Sequence, residues 1–306
     1  MQKSKAKVAV IVLNWNSYHL TSRCIKSLIL QSYSNTEIVV VDNASADGSG
    51  KLLRDDFPEI TLIENKSNLG FSGGCNAGIE YSIMNGADYI LLFNNDAIAE
   101  NELISSLAYV ADTSVNCGIV TCGIVEMESL QPWYAGGEYN KWSLEVNSIA
   151  KVGIEDSSKC PIEVNFISGC CMFIGKEVIN TVGLLDENFF AYYEDLDYCI
   201  RTVEQGFKLI YLPEKLVKHW VSKSFKNERN RLVKFKPVGY YSRMKGKTVL
   251  IRKYFKFPYS IIAITVLLSK LLKYLVGFTM TFSWRELRAA LSGLKDGCLC
   301  KVSSNL

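Results

Sequence analysis

The 306-residue sequence predicts an α/β protein with a mostly parallel sheet flanked by helices, followed by a helical, membrane-associating C-terminal extension. Three observations predict this fold. Short apolar runs alternate with helical segments, each run ends in polar residues, and a long apolar segment follows a basic one. The chain is 48% hydrophobic and 21% charged, which is typical of a globular protein and not of a disordered one.

Four short apolar runs in the first hundred residues predict buried parallel strands. They cover residues 8–13, 37–41, 60–64 and 89–93, and predicted helices cover 18–32 and 76–84. Strands that alternate with helices at this spacing are typical of βαβ units. Open parallel sheets bind ligands beyond the carboxyl ends of their strands. The site is therefore expected along the polar strand ends, at Asn14, Asp42, Asn68 and Asp96.

The second half of the chain has fewer regular elements before its tail. Residues 164–174 resemble a strand interrupted by Ser168 and Gly169, and residues 196–204 predict an amphipathic helix that ends at Gly206. The ten cysteines do not have the spacing of a zinc site, and no secretory signal opens the sequence. Free thiols without such a signal indicate the cytosol.

The charge is concentrated in one region. Residues 201–256 contain 16 Lys or Arg and 3 Asp or Glu, which favours phosphates, nucleic acid or anionic lipid as partners. Nucleic acid is disfavoured, because no recognised module accompanies the charge. The apolar segment at 257–282 contains Lys270 and Lys273, and its uninterrupted part is too short to span a bilayer. We expect it to lie in the membrane interface. A spanning helix, a helical hairpin packed on the preceding domain and a homodimer contact remain alternatives.

Two strand ends offer groups that suit a nucleotide. The carboxylate of Asp42 can accept hydrogen bonds from a base N–H or a ribose hydroxyl, or can serve as a turn residue or helix cap. Residues 68–76 form a glycine-rich link, whose backbone N–H groups can approach phosphate. A tight connection explains the glycines equally well, since neither a Walker loop nor a dinucleotide fingerprint is present.

Three further places offer groups for metal binding or proton transfer. Asp96 is a hard carboxylate suited to Mg²⁺ or Mn²⁺ on a diphosphate, and His219 can complete such a shell or serve a structural role. Asp195 falls near a helix N-terminus, where it can deprotonate a hydroxyl or cap the helix. Asp197 precedes Arg201 by four residues, which predicts a surface ion pair.

Taken in order, these blocks resemble the family 2 inverting glycosyltransferases of the GT-A fold, particularly the bacterial rhamnosyltransferase-like members. The resemblance covers about residues 6–225 and rests on residues 10–16, 41–45, 68–74, 92–96 and 190–201. It implies a catalytic domain at 1–225, with a nucleotide-binding half at about 1–97 and an acceptor-binding half at about 98–225. Residues 226–306 form the basic and apolar helical region, which lies outside the resemblance and gives no information on the chemistry.

The resemblance also implies roles for individual residues. Asp195 matches the catalytic base, and Asp96 and His219 match residues that hold a divalent cation, Mn²⁺ or Mg²⁺. Asn94 stands where the family usually has a first aspartate, so Asn94 and Glu194 are assigned supporting roles. The residues assigned to the nucleotide are Leu13, Asn14, Asn16, Asp42, Asn68, Gly74, Asn76 and Asn95.

The expected reaction is inverting transfer of a sugar from a nucleoside-diphosphate donor, dTDP-rhamnose or a UDP-sugar, to a glycan or polyprenyl-linked acceptor. The expected setting is cell-surface polysaccharide synthesis, such as O-antigen assembly, on the cytoplasmic face of the inner membrane. A sugar-phosphate nucleotidyltransferase is an alternative, although residues 14–17 lack the glycine-rich, basic loop that it requires. A non-catalytic membrane-binding protein is the other alternative.

Overall fold

The computed structural model describes residues 5–140, 145–148, 160–220, 235–255 and 259–302. Within these ranges the strands are β1 Val8–Asn14, β2 Thr36–Asp42, β3 Thr61–Glu64, β4 Tyr89–Phe93, β5 Ala97–Ala99, β6 Cys117–Glu126, β7 Pro132–Tyr134, β8 Glu138–Tyr139, β9 Val146–Asn147, β10 Ile162–Val164, β11 Cys171–Gly175 and β12 Lys208–His219. The helices are α1 Tyr18–Ile29, α2 Ser49–Asp56, α3 Gly70–Met84, α4 Leu103–Thr113, α5 Lys176–Val182, α6 Glu194–Glu204, α7 Pro237–Tyr254, α8 Tyr259–Met280 and α9 Trp284–Leu299.

One twisted sheet runs through the main domain in the order β10-β12-β6-β11-β4-β1-β2-β3. Its first half is parallel, because β1 pairs with β2 and β4, and β2 pairs with β3. Strands β1 and β4 and the second half of β2 are buried on both faces, as parallel strands covered by helices are, whereas β3 at the edge is partly exposed. The predicted α/β fold with a mostly parallel sheet is confirmed.

The strand register brings the polar strand ends to one edge of the sheet. Asn14 at the end of β1 lies opposite Asp42 at the end of β2, and Val12 lies opposite Phe93 in β4. Strand β11 runs antiparallel to β4 and begins with Cys171 opposite Phe93. The loop that leads into β11 therefore joins the same edge.

Helix α3 begins at Gly70, so the predicted helix start at residue 76 is wrong. Most of the glycine-rich link is helical, and Gly74 in the link and Gly78 one turn later face the sheet. A Cβ atom at Gly74 would lie 2.4 Å from Leu13 Cδ1, and one at Gly78 would lie 2.7 Å from Ile11 Cγ2. These glycines therefore let α3 pack closely on β1, a need that the sequence pattern does not distinguish from phosphate binding.

The predicted strand at 164–174 is two separate strands, β10 and β11, which pair with different neighbours. Ser168 and Gly169 lie in the loop between them, at the edge where the polar strand ends meet. The interruption in the apolar pattern therefore marks a loop of the site edge. Helix α6 starts at Glu194, two residues before its predicted start.

Helices α7, α8 and α9 enclose a second, smaller core whose buried members are Tyr240, Met244, Ile251, Ala263, Leu267, Phe278, Leu287 and Ala290. The outer face of α8 is apolar and exposed at Ile261, Ile264, Leu268, Leu272, Leu275, Val276 and Met280. By length and composition, Ala263–Met280 could cross a membrane, and 18% of this stretch is buried in the protein. Core helices of soluble proteins meet the same criterion. The predicted boundary at residue 225 and part of the basic region, 221–234, lie outside the described residues.

Candidate active site

Asp42 is held at the end of β2 by a buried hydrogen-bond network. Nδ2 of Asn14 donates to Oδ1 of Asp42 at 2.6 Å, and the backbone N–H of Ser45 donates to Oδ2 at 3.0 Å. Oδ1 of Asn14 accepts from the Thr21 hydroxyl at 2.8 Å. Asn14 is fully buried, whereas Asp42 is 5% exposed. Asn14 therefore orients Asp42 and does not itself face solvent.

Two of the residues assigned to the nucleotide lie beside this network. Asn16 adopts a left-handed conformation with φ of 49°, and its backbone N–H donates to Ser45 Oγ at 2.8 Å. Oδ1 of Asn16 accepts from the backbone N–H of Ala46 at 2.8 Å, and the residue is exposed. Leu13 is partly buried against Gly74. Asn16 and Leu13 thus line the rim of the corner that Asp42 occupies.

Asn43 connects this corner to the start of α3, and the sequence reasoning did not single it out. Its Nδ2 donates to Asn68 Oδ1 at 2.9 Å and to the carbonyl oxygen of Gly70 at 3.0 Å. Its Oδ1 accepts from the backbone N–H of Leu69 at 3.1 Å. The sequence did contain a signal for a site residue here, because Asn43 is a second polar residue directly after Asp42 at the end of the strand. Asn68 is thereby fixed near Asp42.

Asn76 lies apart from that corner. Its side-chain amide donates to the carbonyl oxygen of Leu185 at 2.9 Å, and its Oδ1 accepts from the backbone N–H of Leu185 at 3.0 Å. The side chain is buried and ties α3 to the segment that precedes α6. This pairing gives Asn76 a structural role, and its assignment to the nucleotide stays a prediction.

The segment Asn94-Asn95-Asp96 follows β4 and meets the end of β12. Oδ1 of Asp96 lies 2.9 Å from Nε2 of His219, and both side chains are buried. Pairing of Ala97 with His219 and a hydrogen bond of 2.8 Å from Trp220 N to Asp96 O fix the two residues. The Trp133 and His219 rings pack edge to face, with 4.5 Å between their centroids. The two predicted metal ligands are thus neighbours.

The donor set at this place fits a divalent cation. His219 Nδ1 is buried and has no hydrogen-bond partner among the described residues, so the imidazole is held chiefly by Asp96 and Trp133. The described part of the chain contains no group of three or more His, Cys, Asp or Glu that could hold a metal. A cation between Asp96 and His219 would take its other ligands from substrate phosphates and water, as Mg²⁺ commonly does.

The other two members of the segment have supporting contacts. Nδ2 of Asn95 donates to the Thr21 hydroxyl at 2.9 Å, and that hydroxyl in turn donates to Asn14. The backbone N–H of Asn94 donates to the carbonyl oxygen of Cys170 at 3.0 Å. Asn95 therefore joins the metal segment to the nucleotide corner, and Asn94 joins it to the loop before β11.

Asp195 lies in the first turn of α6 with both carboxylate oxygens hydrogen-bonded. Oδ2 accepts from the backbone N–H of Gly169 at 3.2 Å, and Oδ1 accepts from the N–H of Leu196 at 2.9 Å. Burial raises the pKa of Asp195, while these two backbone donors and the charge of Arg243 lower it. The net direction is upward. A half-buried carboxylate with a raised pKa is a better proton acceptor than an exposed one.

Glu194 is buried beside Asp195, and its Oε2 has no hydrogen-bond partner among the described residues. Burial and then the negative charge of Asp195 raise the pKa of Glu194 well above its usual range. Protonation of Glu194 leaves the negative charge of the pair on Asp195. This is consistent with the predicted supporting role.

One loop connects Asp96 and Asp195, the two carboxylates that the resemblance assigns to the cation and to proton transfer. Gly169 donates to Asp195, and the next residue, Cys170, accepts from Asn94, two positions before Asp96. Both acidic side chains therefore lie at the same edge of the sheet, on either side of this loop. The arrangement can hold a cation at one end and accept a proton at the other.

The ion pair between Asp197 and Arg201 is buried, so the prediction of a surface pair is wrong. Asp197 Oδ2 accepts from Arg201 Nε at 2.9 Å, and its Oδ1 accepts from the Tyr254 hydroxyl at 2.7 Å and from Lys253. Lys253 and Tyr254 belong to α7, which covers this face of α6. Helix α7, which lies outside the resemblance, therefore packs on the helix that carries Asp195.

A sequence profile described as "Glycosyltransferase like family 2" matches residues 6–234. A low-salt glycan biosynthesis hexosyltransferase of Haloferax volcanii is 30% identical over 207 residues, 66% of this chain and 63% of the relative. The chain thus spans less than two thirds of that relative. A dTDP-rhamnosyl transferase of Shigella flexneri is 27% identical over 250 residues, 80% of this chain and 79% of the relative. An N-acetylglucosaminyl-diphospho-decaprenol L-rhamnosyltransferase of Mycobacterium tuberculosis is 23% identical over 69% of this chain and 75% of the relative.

Solved structures with the same fold include a mannosyltransferase from Pyrobaculum calidifontis in complex with GDP-Man and Mn²⁺. It aligns with a TM-score of 0.57 at 17% identity, over 96% of this chain and 76% of that chain. A second is GalNAc-T7 with UDP, GalNAc and Mn²⁺, with a TM-score of 0.59 at 15% identity, over 70% of this chain and 43% of that one. At these identities the likeness concerns the fold.

Proposed function

The chain belongs to glycosyltransferase family 2, and on that premise we propose that it transfers a sugar from a nucleoside-diphosphate donor to a glycan or polyprenyl-linked acceptor with inversion. The observation that carries the proposal is the position of Asp195 and Asp96 on either side of the loop at Gly169 and Cys170. The family membership favours this reaction over the nucleotidyltransferase and the non-catalytic alternatives.

Asp195 is proposed to be the general base. Its carboxylate removes the proton of an acceptor hydroxyl while the hydroxyl oxygen attacks the anomeric carbon of the donor. The bond from that carbon to the diphosphate oxygen breaks in the same step, and the nucleoside diphosphate leaves with the electron pair. A single displacement of this kind inverts the configuration and needs no second carboxylate as nucleophile.

Asp96 and His219 are proposed to hold a divalent cation, Mn²⁺ or Mg²⁺. Such a cation, when bound, stabilises the negative charge of the diphosphate leaving group. The pair lies close enough to share a ligand, and Asn95 connects it to the corner of Asp42. The Mn²⁺ of two structural neighbours supports a divalent cation in this fold.

The donor is proposed to be dTDP-rhamnose or a UDP-sugar. Thymine and uracil both carry an N–H group that can donate a hydrogen bond to the carboxylate of Asp42. Asn14 and Ser45 hold that carboxylate in place by hydrogen bonds. The dTDP-rhamnosyl transferase of Shigella flexneri supports rhamnose as the sugar. The Mycobacterium tuberculosis relative, named for a diphospho-decaprenol substrate, supports a polyprenyl-linked acceptor.

The enzyme is proposed to work on the cytoplasmic face of the inner membrane in cell-surface polysaccharide synthesis. Support comes from the exposed apolar face of α8, which suits the boundary between headgroups and acyl chains. Exchange of Ile261, Leu268 and Leu272 for Ser should release the protein from anionic vesicles in a flotation assay. The same exchange at the exposed Tyr109 and Val115 of the main domain is the matched control. Unchanged flotation of the α8 variant would refute this placement.

A thermal-shift panel of nucleoside diphosphates and their sugars, with and without Mn²⁺, tests the donor site. We expect dTDP or UDP to raise Tm in the presence of Mn²⁺, because a ligand that binds only the folded state stabilises it. Donor hydrolysis and transfer to a lipid-linked saccharide are then measured with the donor that binds. Neither binding nor turnover of any nucleotide sugar would refute the proposed function.

A further inference from the structure

Helix α7 lies directly against the segment that leads into the proposed base. A Cβ atom at Gly246 would lie 2.8 Å from Tyr193 Cδ2 and 3.1 Å from the carbonyl oxygen of Tyr192. Tyr192 and Tyr193 have positive φ angles of 66° and 74°, which turn the chain into α6. Because Arg243 is one helical turn before Gly246, it faces the same segment.

The guanidinium of Arg243 is held by aromatic rings. It lies 4.1 Å from the centroid of the Tyr192 ring and 4.3 Å from that of Phe235. Its Nε atom is buried without a hydrogen-bond partner, and no carboxylate among the described residues forms an ion pair with it. Aromatic faces fix the position of a guanidinium without neutralising its charge.

The other two inward-facing cations of α7 are paired. Lys247 forms an ion pair with Glu145, and Lys253 forms ion pairs with Asp186 and Asp197. Arg243 is thus the member of this group whose charge stays available to a ligand. Its charge also acts on the site, because it lowers the pKa of Asp195 against the effect of burial.

Arg243 also lies at the junction with the apolar C-terminal helices. Tyr240, one turn earlier on α7, packs its ring on those of Tyr274 and Phe278 in α8 at 5.1 and 4.8 Å between centroids. Arg243 therefore lies between Asp195 and the inner side of α8, the helix whose outer side is apolar and exposed.

We propose that Arg243 binds the phosphate that joins the acceptor saccharide to its lipid. This inference rests on the proposed function and adds the contact that the acceptor makes. A lipid-linked acceptor carries a hydroxyl, a phosphate and an apolar chain in that order, and Asp195, Arg243 and α8 are arranged in the same order. An arginine suits phosphate because its planar fork donates two parallel hydrogen bonds. The phosphates of the donor are assigned to the cation proposed at Asp96 and His219. Neither of these residues makes a described contact with Arg243.

The test measures binding of octyl diphosphate by calorimetry, with octyl glucoside as the uncharged comparator. Saturating dTDP or UDP with Mn²⁺ fills the donor site, so that binding there is not counted. We expect Arg243→Gln to weaken octyl diphosphate binding about tenfold or more, since a charge-assisted pair is lost. Affinity for the nucleotide should stay unchanged. Lys245→Gln is the matched control, because it removes one charge from the opposite side of the same helix.

Equal affinity of wild type and Arg243→Gln for octyl diphosphate would overturn the inference, as would no affinity in the wild type or an equal loss in Lys245→Gln. If Arg243→Gln lacks a cooperative thermal transition, Arg243→Lys decides. Lysine keeps the positive charge but cannot donate two parallel hydrogen bonds. An affinity for octyl diphosphate that is reduced in Arg243→Lys therefore supports the inference, and an unchanged affinity refutes it. The measurement needs no turnover, so a chain that transfers no sugar would refute the proposed function separately. Where transfer is measured, KM for the phosphate-linked acceptor should rise and KM for the donor should not.

Discussion

Oδ1 of Asp96 lies 2.9 Å from Nε2 of His219, although the two residues are 123 positions apart in the chain. The pairing of β5 with the end of β12 brings them together. A carboxylate and an imidazole that lie side by side in a buried place are suitable ligands for the proposed divalent cation.

Asp96→Asn should lower the transfer rate by about 100-fold or more, because the neutral amide binds a divalent cation poorly. EDTA should stop the wild-type enzyme, and added Mn²⁺ should restore it. Asp55→Asn, which neutralises an exposed carboxylate on α2, is the control. A near-normal rate in Asp96→Asn, or full wild-type activity in excess EDTA, would contradict the role given to the cation.

Asp195→Asn should lower the transfer rate by about 1,000-fold, which is the usual worth of a general base. Donor affinity should be nearly unchanged, because an amide oxygen can still accept from Gly169. Transfer kinetics and donor binding are measured on the same preparation. Glu204→Gln at the exposed far end of α6 should retain activity. Turnover close to wild type in Asp195→Asn would remove this residue as the base.

The acidic limb of the pH–rate profile should lie above the ordinary carboxyl pKa of 3.8, because burial raises the pKa of Asp195. A base works only when ionised, so activity falls as the pH drops through this raised value. Arg243→Gln removes a charge that lowers the pKa of Asp195, so the limb should move to higher pH. Glu194 and the backbone donors of Gly169 and Leu196 act on both proteins alike. A limb that stays in place would contradict the coupling.

The raised pKa values of Asp195 and Glu194 also affect the stability of the fold, which should decrease as the pH rises. Carboxyl groups whose pKa is raised by folding bind protons more tightly in the folded state, so Asp195 and Glu194 make the fold less stable as the pH rises above their ordinary values. The substitution Glu194→Gln should reduce this loss, as seen in Tm measured across the acidic range.

Gly70→Ala should destabilise the protein by about 3 kcal/mol, because the residue has a φ of +75° and an added Cβ would lie 2.4 Å from the carbonyl oxygen of Phe190. Gly86→Ala, at the other end of α3, has a similar φ of +81° but no atom within 4 Å. It should cost about 1 kcal/mol. Urea denaturation measures both, and equal losses would show that the contact with Phe190 is unimportant.

Asp197→Ala should destabilise the protein by about 3–5 kcal/mol, because Arg201 and Lys253 would lose a shared partner in a buried place. Tyr254→Phe removes one hydrogen bond to the same carboxylate and should cost about 1 kcal/mol. A loss of similar size in the two variants would indicate that the ion pairs contribute little.

The strands and the order of the site residues could be predicted from the sequence, because parallel strands leave a strong apolar pattern that ends in polar residues. Positions such as Asn14, Asp42 and Asp96 follow from that pattern together with the rule that ligands bind at carboxyl ends. The pairing of Asp96 with His219 does not follow from it, since the sequence does not show that β5 pairs with β12.

The glycine-rich segment shows why the rest could not be predicted. Glycine serves a phosphate loop and a closely packed helix equally well, and Gly74 and Gly78 serve the packing. Likewise, Asp197 and Arg201 have the spacing of an exposed pair, and only the position of α7 makes them buried. Contacts between segments that are distant in the chain determine whether such glycines pack a helix and whether such an ion pair is buried.

The two left-handed tyrosines at 192 and 193 contact Gly246 of α7, so the geometry of the turn before the proposed base Asp195 depends on a segment that follows the family match. A shortened protein that ends before residue 237 would lose turnover even when supplied with a water-soluble acceptor. Exchange of this segment between related enzymes should change the rate of transfer and the acceptor preference. Substitutions in α7 would thus change the position of Asp195 and the rate of transfer, without changing a residue that is proposed to touch the donor.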